Sequence, residues 1–297
     1  MLIPFKKIIV ERLYFDGFGS QYLTAMVSIA YCYHMKYKYF HSPFTKIHHA
    51  YSANREYCRQ NKTWSRGKWI NDTIVLARAE ELNRFIGIPP GLLFSTFNSN
   101  ICLEIVIIEP CPGFGALPQP QRRAIIKQFR QAGRALHNVI SVSNADIFSP
   151  HVLSILRQYY YSTPKPNTKT SIALHIRRGD VDKKTHPDRY TDNNKYKKII
   201  RFLLKTYPDD IITIFSEGSI HDFHDLQQDR VVFQLNGTIE ETFHSFVRAK
   251  VLVTAKSAFS YCAALLNENE VYYIPWRHKP LKHWKQLPWK VDTGHKA

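Results

Sequence analysis

Six residues near the middle of the chain, His175-Ile176-Arg177-Arg178-Gly179-Asp180, put an imidazole, two guanidiniums and a carboxylate behind the apolar run that begins at Ser171. Arginine's planar fork matches two phosphate oxygens and keeps its charge at any working pH, whereas lysine offers only a point charge. Ile176 separates His175 from Arg177, so on a strand those two side chains share one face. The predicted chemistry is the holding of a phosphorylated anion at the carboxyl end of a buried strand, with Asp180 bracing an arginine or capping the next turn. The plainer alternative is a salt-bridged turn that closes the strand.

Three other segments carry related signals. Ser216-Glu217-Gly218-Ser219, followed by Asp222-Phe223, follows another apolar run. A carboxylate there can accept hydrogen bonds from the amino and imino groups of a purine; Ser219 or Asp222 as a helix cap explains the same residues equally well. Thr254-Ala255-Lys256-Ser257-Ala258-Phe259-Ser260 opens a predicted helix, whose free amides and positive dipole end suit phosphate, although capping alone accounts for Ser257. Gly17-Phe18-Gly19 is a glycine turn before a helix that lacks the third glycine of the dinucleotide fingerprint. Asp180-Val181-Asp182 resembles an Asp-x-Asp metal site, but two arginines already supply the charge a cation would bring, so no metal is expected. His48-His49 and the other histidines lack ligand spacing.

These residues need strands and helices to position them. A β-branched run from Lys7 to Phe15 reads as a strand, Asp16 to Ser20 as a turn and Gln21 to His34 as a buried helix. Ile101 to Glu109 reads as a strand and Gln121 to His137 as an amphipathic helix, while residues 44 to 75 have no clear period. Thr163-Pro164-Lys165-Pro166-Asn167-Thr168-Lys169-Thr170 has linker composition, which divides the chain into domains 1–163 and 164–297. Beyond it, strands at 171–176, 211–215, 231–235, 251–254 and 271–274 alternate with helices at 194–206, 220–228, 239–249 and 258–266. Such alternation implies a parallel sheet with ligands at the carboxyl ends of its strands. The Trp-, His- and Lys-rich tail from Pro275 to Trp289 reads as able to pack back across both domains.

At 297 residues the chain is longer than one core usually supports. Lysine and arginine number 41 against 24 acidic residues, a net charge of +17 that favours anionic partners or simply solubility. Together with 13% aromatic residues this charge also raises nucleic-acid binding, yet no RNA-recognition or zinc-finger signature accompanies it. Five cysteines form no Cys-x-x-Cys pair, which points to a reducing, cytoplasmic setting. The stretch from Met1 to Val10 is too short to span a bilayer and is broken by Lys6 and Lys7, so neither secretion nor a membrane span is expected; the three Asn-x-Thr sequons then read as chance.

The stretch from His175 to Asp180 resembles the His-x-Arg-Arg-x-Asp motif of the α1,2- and α1,6-fucosyltransferases, to which the protein O-fucosyltransferases are related. Ser257-Ala258-Phe259-Ser260 is similar to that family's third motif, Ser216-Glu217-Gly218 with Asp222-Phe223 more loosely to its second, and Gly17-Phe18-Gly19-Ser20-Gln21 to its amino-terminal Gly-x-Gly-Asn-Gln loop, with Ser20 in place of asparagine. The resemblance implies an α/β, GT-B-like architecture of two Rossmann-like domains with parallel sheets facing across a cleft. It also implies an inverting, metal-independent transfer of fucose from GDP-fucose, a cosubstrate and not a bound cofactor, to a glycan or glycoprotein hydroxyl. By the same resemblance Arg177 binds the donor phosphates, His175 and Asp222 the guanine and Ser257 to Ser260 the β-phosphate, with Gly17, Gly19, Arg178, Asp180, Glu217 and Phe259 also on the donor side. The α1,6 enzymes carry a glutamate shortly after the first motif where Thr185 stands here, which leaves Asp182 or Asp188 as the general base, and Asp182 is chosen beside Arg177 as catalytic. Another nucleotide sugar on the same scaffold, such as UDP-xylose, is the alternative.

Overall fold

The computed structural model describes residues 17–34, 72–93 and 147–288 apart from 185, the strand segments 5–9, 39–41, 64–65, 68–69 and 103–107, and positions 43, 44 and 47. The expected helix over 121–137 lies outside these residues. In the amino-terminal half the elements are β1 (Phe5–Ile9), α1 (Phe18–His34), β2 (Tyr39–His41), a short antiparallel pair β3 (Trp64–Ser65) and β4 (Lys68–Trp69), α2 (Asp72–Ile86), β5 (Gly91–Leu93), β6 (Leu103–Ile107) and α3 (Pro150–Tyr161). Strands β2, β1 and β6 run parallel in that spatial order, and β5 adds an antiparallel edge beside β2. The expected all-parallel sheet is therefore mixed here.

The carboxyl-terminal half follows the predicted alternation closely. It runs β7 (Ile172–His175), α4 (Asn193–Thr206), β8 (Ile212–Ser216), a 3-10 helix (Ile220–Leu226), β9 (Val231–Leu235), α5 (Ile239–Arg248), β10 (Val251–Val253), α6 (Ala258–Leu266), β11 (Glu270–Tyr273) and β12 (Lys285–Gln286). The amphipathic helices are well capped: Asp192 accepts from the Asn194 amide to start α4, which buries Tyr196, Ile199, Ile200 and Leu203, the spacing of one helical face. Thr238 starts α5, with Glu240 and Glu241 in its first turn and Arg248 in its last, charges that suit the helix dipole.

All neighbouring strands of this sheet are parallel, in the order β12-β11-β10-β7-β8-β9. Counted from β7, that is the 3-2-1-4-5-6 order of a Rossmann sheet read from its β9 edge, so the chain is α/β with a doubly wound sheet. The order reverses between β7 and β10. Connections leave those two strands in opposite directions, which opens a crevice at their carboxyl ends.

Helix α6 is apolar on nearly every side, with Tyr261 to Leu266 all buried, because α1, α3 and α5 pack around it. One core cluster therefore joins residues of both halves, from Phe18 and Tyr22 to Phe243 and Leu265. The arginine fork of Arg78 on α2 grips both oxygens of Glu240 on α5 at 2.5 and 2.6 Å, and Arg157 on α3 donates from Nε to the Leu266 carbonyl at 3.0 Å. Residues 164–170 carry neither helix nor strand. The tail closes on the carboxyl-terminal half: β12 pairs with β11, and Trp284 packs on Tyr261 with ring centroids 5.3 Å apart.

Gly19 sits in the first turn of α1, not in a preceding turn as expected, and a β-carbon there would overlap the backbone of Phe259 at the start of α6. The Cys262 thiol donates to the Gly19 carbonyl at 3.2 Å, fixing the same approach. Alanine would gain up to about 1 kcal/mol in helix propensity but would force backbone apart in a packed core at a cost of about 1–3 kcal/mol. Gly19→Ala should therefore lower stability in urea unfolding; a variant as stable as the parent would mean the two helix starts do not touch.

Candidate functional site

The crevice between β7 and β10 is filled from one side by the segment after His175 and from the other by the turn 254–257 that starts α6. Ser257 is the N-cap of α6, its Oγ accepting from the Phe259 amide at 3.2 Å. Arg177 reaches across: Nη1 donates to Ser257 Oγ at 2.8 Å and Nη2 to Asp180 at 2.6 Å. Its Nε is buried and has no acceptor among the described residues. A guanidinium at a helix amino end meets the positive pole of the dipole, an unfavourable pairing that a bound anion would relieve. Lys256, buried in the same turn, adds a second cation and donates from Nζ to the Asp188 carbonyl at 3.0 Å.

His175 ends β7 with its ring between Phe246 and Phe259, at centroid distances of 5.1 and 6.1 Å. Burial, and secondarily the charge of Arg177, push its pKa down to about 3, so the imidazole is neutral at any physiological pH. Its Nδ1 is buried without a partner among the described residues. Phe259 also meets Phe18 at 6.0 Å and Phe243 at 5.4 Å, so the helix start is held in an aromatic cluster that reaches the amino-terminal half.

The other residues singled out in the sequence have separate tasks. Arg178 donates to the carbonyls of Arg177 and Thr191 and to Asn193 Oδ1, all at 2.8 to 2.9 Å, and stacks 4.3 Å from the Tyr190 ring. That guanidinium is occupied in folding the 178–193 loop, while the ion pair within the turn is the one between Arg177 and Asp180. Ser260 Oγ accepts from the Ala255 amide at 3.1 Å and so shapes the turn. Gly17 starts α1 by accepting from the Gln21 amide at 3.2 Å.

On the β8 side, Gly179 adopts φ +81° and a β-carbon on it would overlap the Glu217 carboxylate, so these two loops are in contact. Asp222 Oδ2 accepts from the Ser219 amide at 2.7 Å and completes a capping box for the 3-10 helix. The capping alternative is thus realised, because an N3 carboxylate facing an N-cap amide finds its strongest local donor there. Asn236, read in the sequence only as part of a chance sequon, clamps both backbone groups of Gly218 at 2.9 Å and adopts φ 55°, a conformation that asparagine tolerates. Asp182 is exposed, with Oδ1 accepting from the Lys184 amide at 2.7 Å, while Asp188 lies 3.6 Å from Arg277. Among the described residues no three His, Cys, Asp or Glu side chains gather as metal ligands, no helix is long and apolar enough to cross a membrane, and Cys32 and Cys262 are buried free thiols.

No family model matches the chain, and no curated protein matches it in sequence. Solved structures that it resembles include the E. coli heptosyltransferase WaaC with ADP-2-deoxy-2-fluoro heptose, 14% identical at a TM-score of 0.31 over 47% of this chain and 50% of that one, about half of the heptosyltransferase's length. Another is POFUT1 in complex with GDP-fucose, 8% identical at a TM-score of 0.40 over 91% of this chain and 97% of that chain.

His175 also makes the protein acid-sensitive in a defined window. With the folded pKa near 3 against an unfolded value of about 6.5, the unfolded chain binds the extra proton between those values, so stability is lost as pH falls through them. His175→Phe, which keeps the ring against Phe246 and Phe259, should reduce the fall in urea-measured stability between pH 7 and pH 5; equal acid sensitivity in variant and parent would contradict a buried neutral imidazole.

Proposed function

We propose that the chain is an inverting, metal-independent glycosyltransferase of GT-B-like architecture that moves fucose from GDP-fucose to a hydroxyl of a glycan or glycoprotein. Residues 164–297 form the donor side and residues 1–163 the acceptor side. The observation that carries this reading is the buried Nε of Arg177, a charged donor with no acceptor among the described residues, at the point where the strand order reverses and α6 begins. A nucleotide sugar's diphosphate supplies what that arrangement lacks: two negative charges, a third as its bond to the sugar breaks, and oxygens shaped for an arginine fork. The resemblance of residues 175–180 and 257–260 to fucosyltransferase motifs supports fucose and GDP within that class.

In this mechanism an acceptor hydroxyl attacks the anomeric carbon from the face opposite the diphosphate, so one displacement inverts the configuration. Asp182, exposed on the loop that follows the arginines, removes the hydroxyl proton as general base. Arg177, the α6 amino end and Lys256 neutralise the leaving group, the task a divalent cation performs elsewhere. His175, neutral, contributes hydrogen bonding without charge. A second reading, a different nucleotide sugar such as UDP-xylose, is favoured by one observation: the Asp222 oxygen that would read a guanine edge already serves the Ser219 cap.

Arg177→Ala should reduce turnover at saturating donor by about two to three orders of magnitude, as loss of an electrostatic donor typically does, and Arg177→Lys should restore little of it. Near-normal turnover in the alanine variant would remove the arginine from the chemistry. Asp182→Asn should likewise abolish transfer while leaving nucleotide binding unchanged; transfer lost in Asp188→Asn and kept in Asp182→Asn would move the base to Asp188. Activity should survive EDTA; silencing by the chelator with recovery on manganese would turn Asp180 and Asp182 into metal ligands. GDP should raise the melting temperature more than UDP at equal concentration, and stabilisation by UDP alone would select the second reading.

A further inference from the structure

The loops that leave β7 and β11 meet beside the α6 start, on the side of the crevice away from Glu217 and Asp222. Arg189, in the first of these loops, has its guanidinium carbon 5.9 Å from the Trp276 ring, and Arg277 approaches the same ring to 5.2 Å. Arg189 Nε and Trp276 Nε1 are both buried with no acceptor among the described residues. Lys256 ties the first loop down through the Asp188 carbonyl. Arg277 Nη2 stands 3.6 Å from the Asp188 carboxylate, so Arg189, Lys256 and Arg277 bring three cations to these two loops. Unpaired N–H donors in a basic, half-buried setting call for a ligand that brings acceptor oxygens and negative charge together.

The order of the strands says which part of a bound substrate would lie there. Across the carboxyl edge of the sheet the sequence of neighbours is β11, β10, β7, β8. A nucleotide whose diphosphate lies between β10 and β7 and whose base lies over β8 must direct its sugar, and the acceptor that attacks it, toward β10 and β11. We infer that Arg189, Trp276 and Arg277, at the acceptor-facing edge of the donor half, form a subsite for the acidic group of a saccharide acceptor whose remainder lies against residues 1–163, its carboxylate or sulfate held by the two guanidiniums and the indole N–H. The inference rests on the proposed transfer reaction and adds the chemical class of its acceptor.

The test uses the full chain saturated with GDP, at physiological salt, with glucuronate, glucose 6-sulfate, glucose and inorganic sulfate as probes in a thermal-shift assay. Glucuronate and glucose 6-sulfate should each raise the melting temperature by about 2 °C at ten times their Kd, glucose should raise it much less, and Arg189→Gln and Arg277→Gln should each erase the difference while the shift caused by GDP stays as in the parent. Equal shifts from glucose and the acidic sugars, or acidic-sugar shifts that survive both substitutions, would overturn the acidic-acceptor assignment. Inorganic sulfate matching glucose 6-sulfate would overturn its saccharide part. A chain that shows no shift with GDP itself would instead bring down the donor reading on which the subsite depends.

Discussion

A guanidinium held at the amino end of a helix is an electrostatic conflict, and the hydrogen bond from Arg177 to Ser257 maintains it. The same Ser257 hydroxyl caps α6 by accepting from Phe259, so the serine that starts the helix also fixes the arginine that opposes its dipole. Asp180 offsets part of that charge from one side. What is left is a positive, half-buried recess, and under the proposed function it is pre-formed for a diphosphate, so that little reorganisation is needed when charge develops on a leaving group.

Two features hold the recess in place. The reversal of strand order between β7 and β10 supplies the gap, which no single loop could provide. The close approach of α1 to α6 then anchors the helix start from the other half of the chain, through Gly19 against the Phe259 backbone and Phe18 in the aromatic cluster. His175 belongs to that cluster as a neutral ring, so it adds no charge to the site near neutral pH. Together with the Arg78–Glu240 fork, these contacts make the amino-terminal half part of the site's foundation.

The carboxyl-terminal half was legible because its signals agree: β-branched buried runs for β7 to β11, capping residues such as Asp192 and Thr238, and apolar spacing in α4 and α5. The conjunction of Arg177 with Ser257 also follows from sequence, since both open loops at strand carboxyl ends. Helices α2 and α3 are absent from the sequence reading even though Ser149 followed by Pro150, with Val152, Leu153, Leu156 and Tyr160 behind them, announces α3 through its cap and its buried face. The partners of Arg178, Lys256 and Asn236, which are Thr191 and Asn193, Asp188, and Gly218, were not legible in sequence, because loop conformation and not period sets them. Asp222 shows the limit of a motif: a carboxylate three residues beyond a serine is both a base reader and a capping box until the amide of Ser219 is seen against it.

The central claim is that a diphosphate completes the coordination of Arg177. The most direct measurement is the nitrogen-15 and proton resonance of the Arg177 Nε–H group, assigned by its disappearance in Arg177→Lys, during titration with GDP and, separately, with guanosine. GDP should move that resonance and slow its exchange with solvent, as expected for an N–H that gains a charged acceptor, while guanosine leaves it in place. An Nε–H signal that stays unmoved at saturating GDP, or that responds equally to guanosine, would contradict the account.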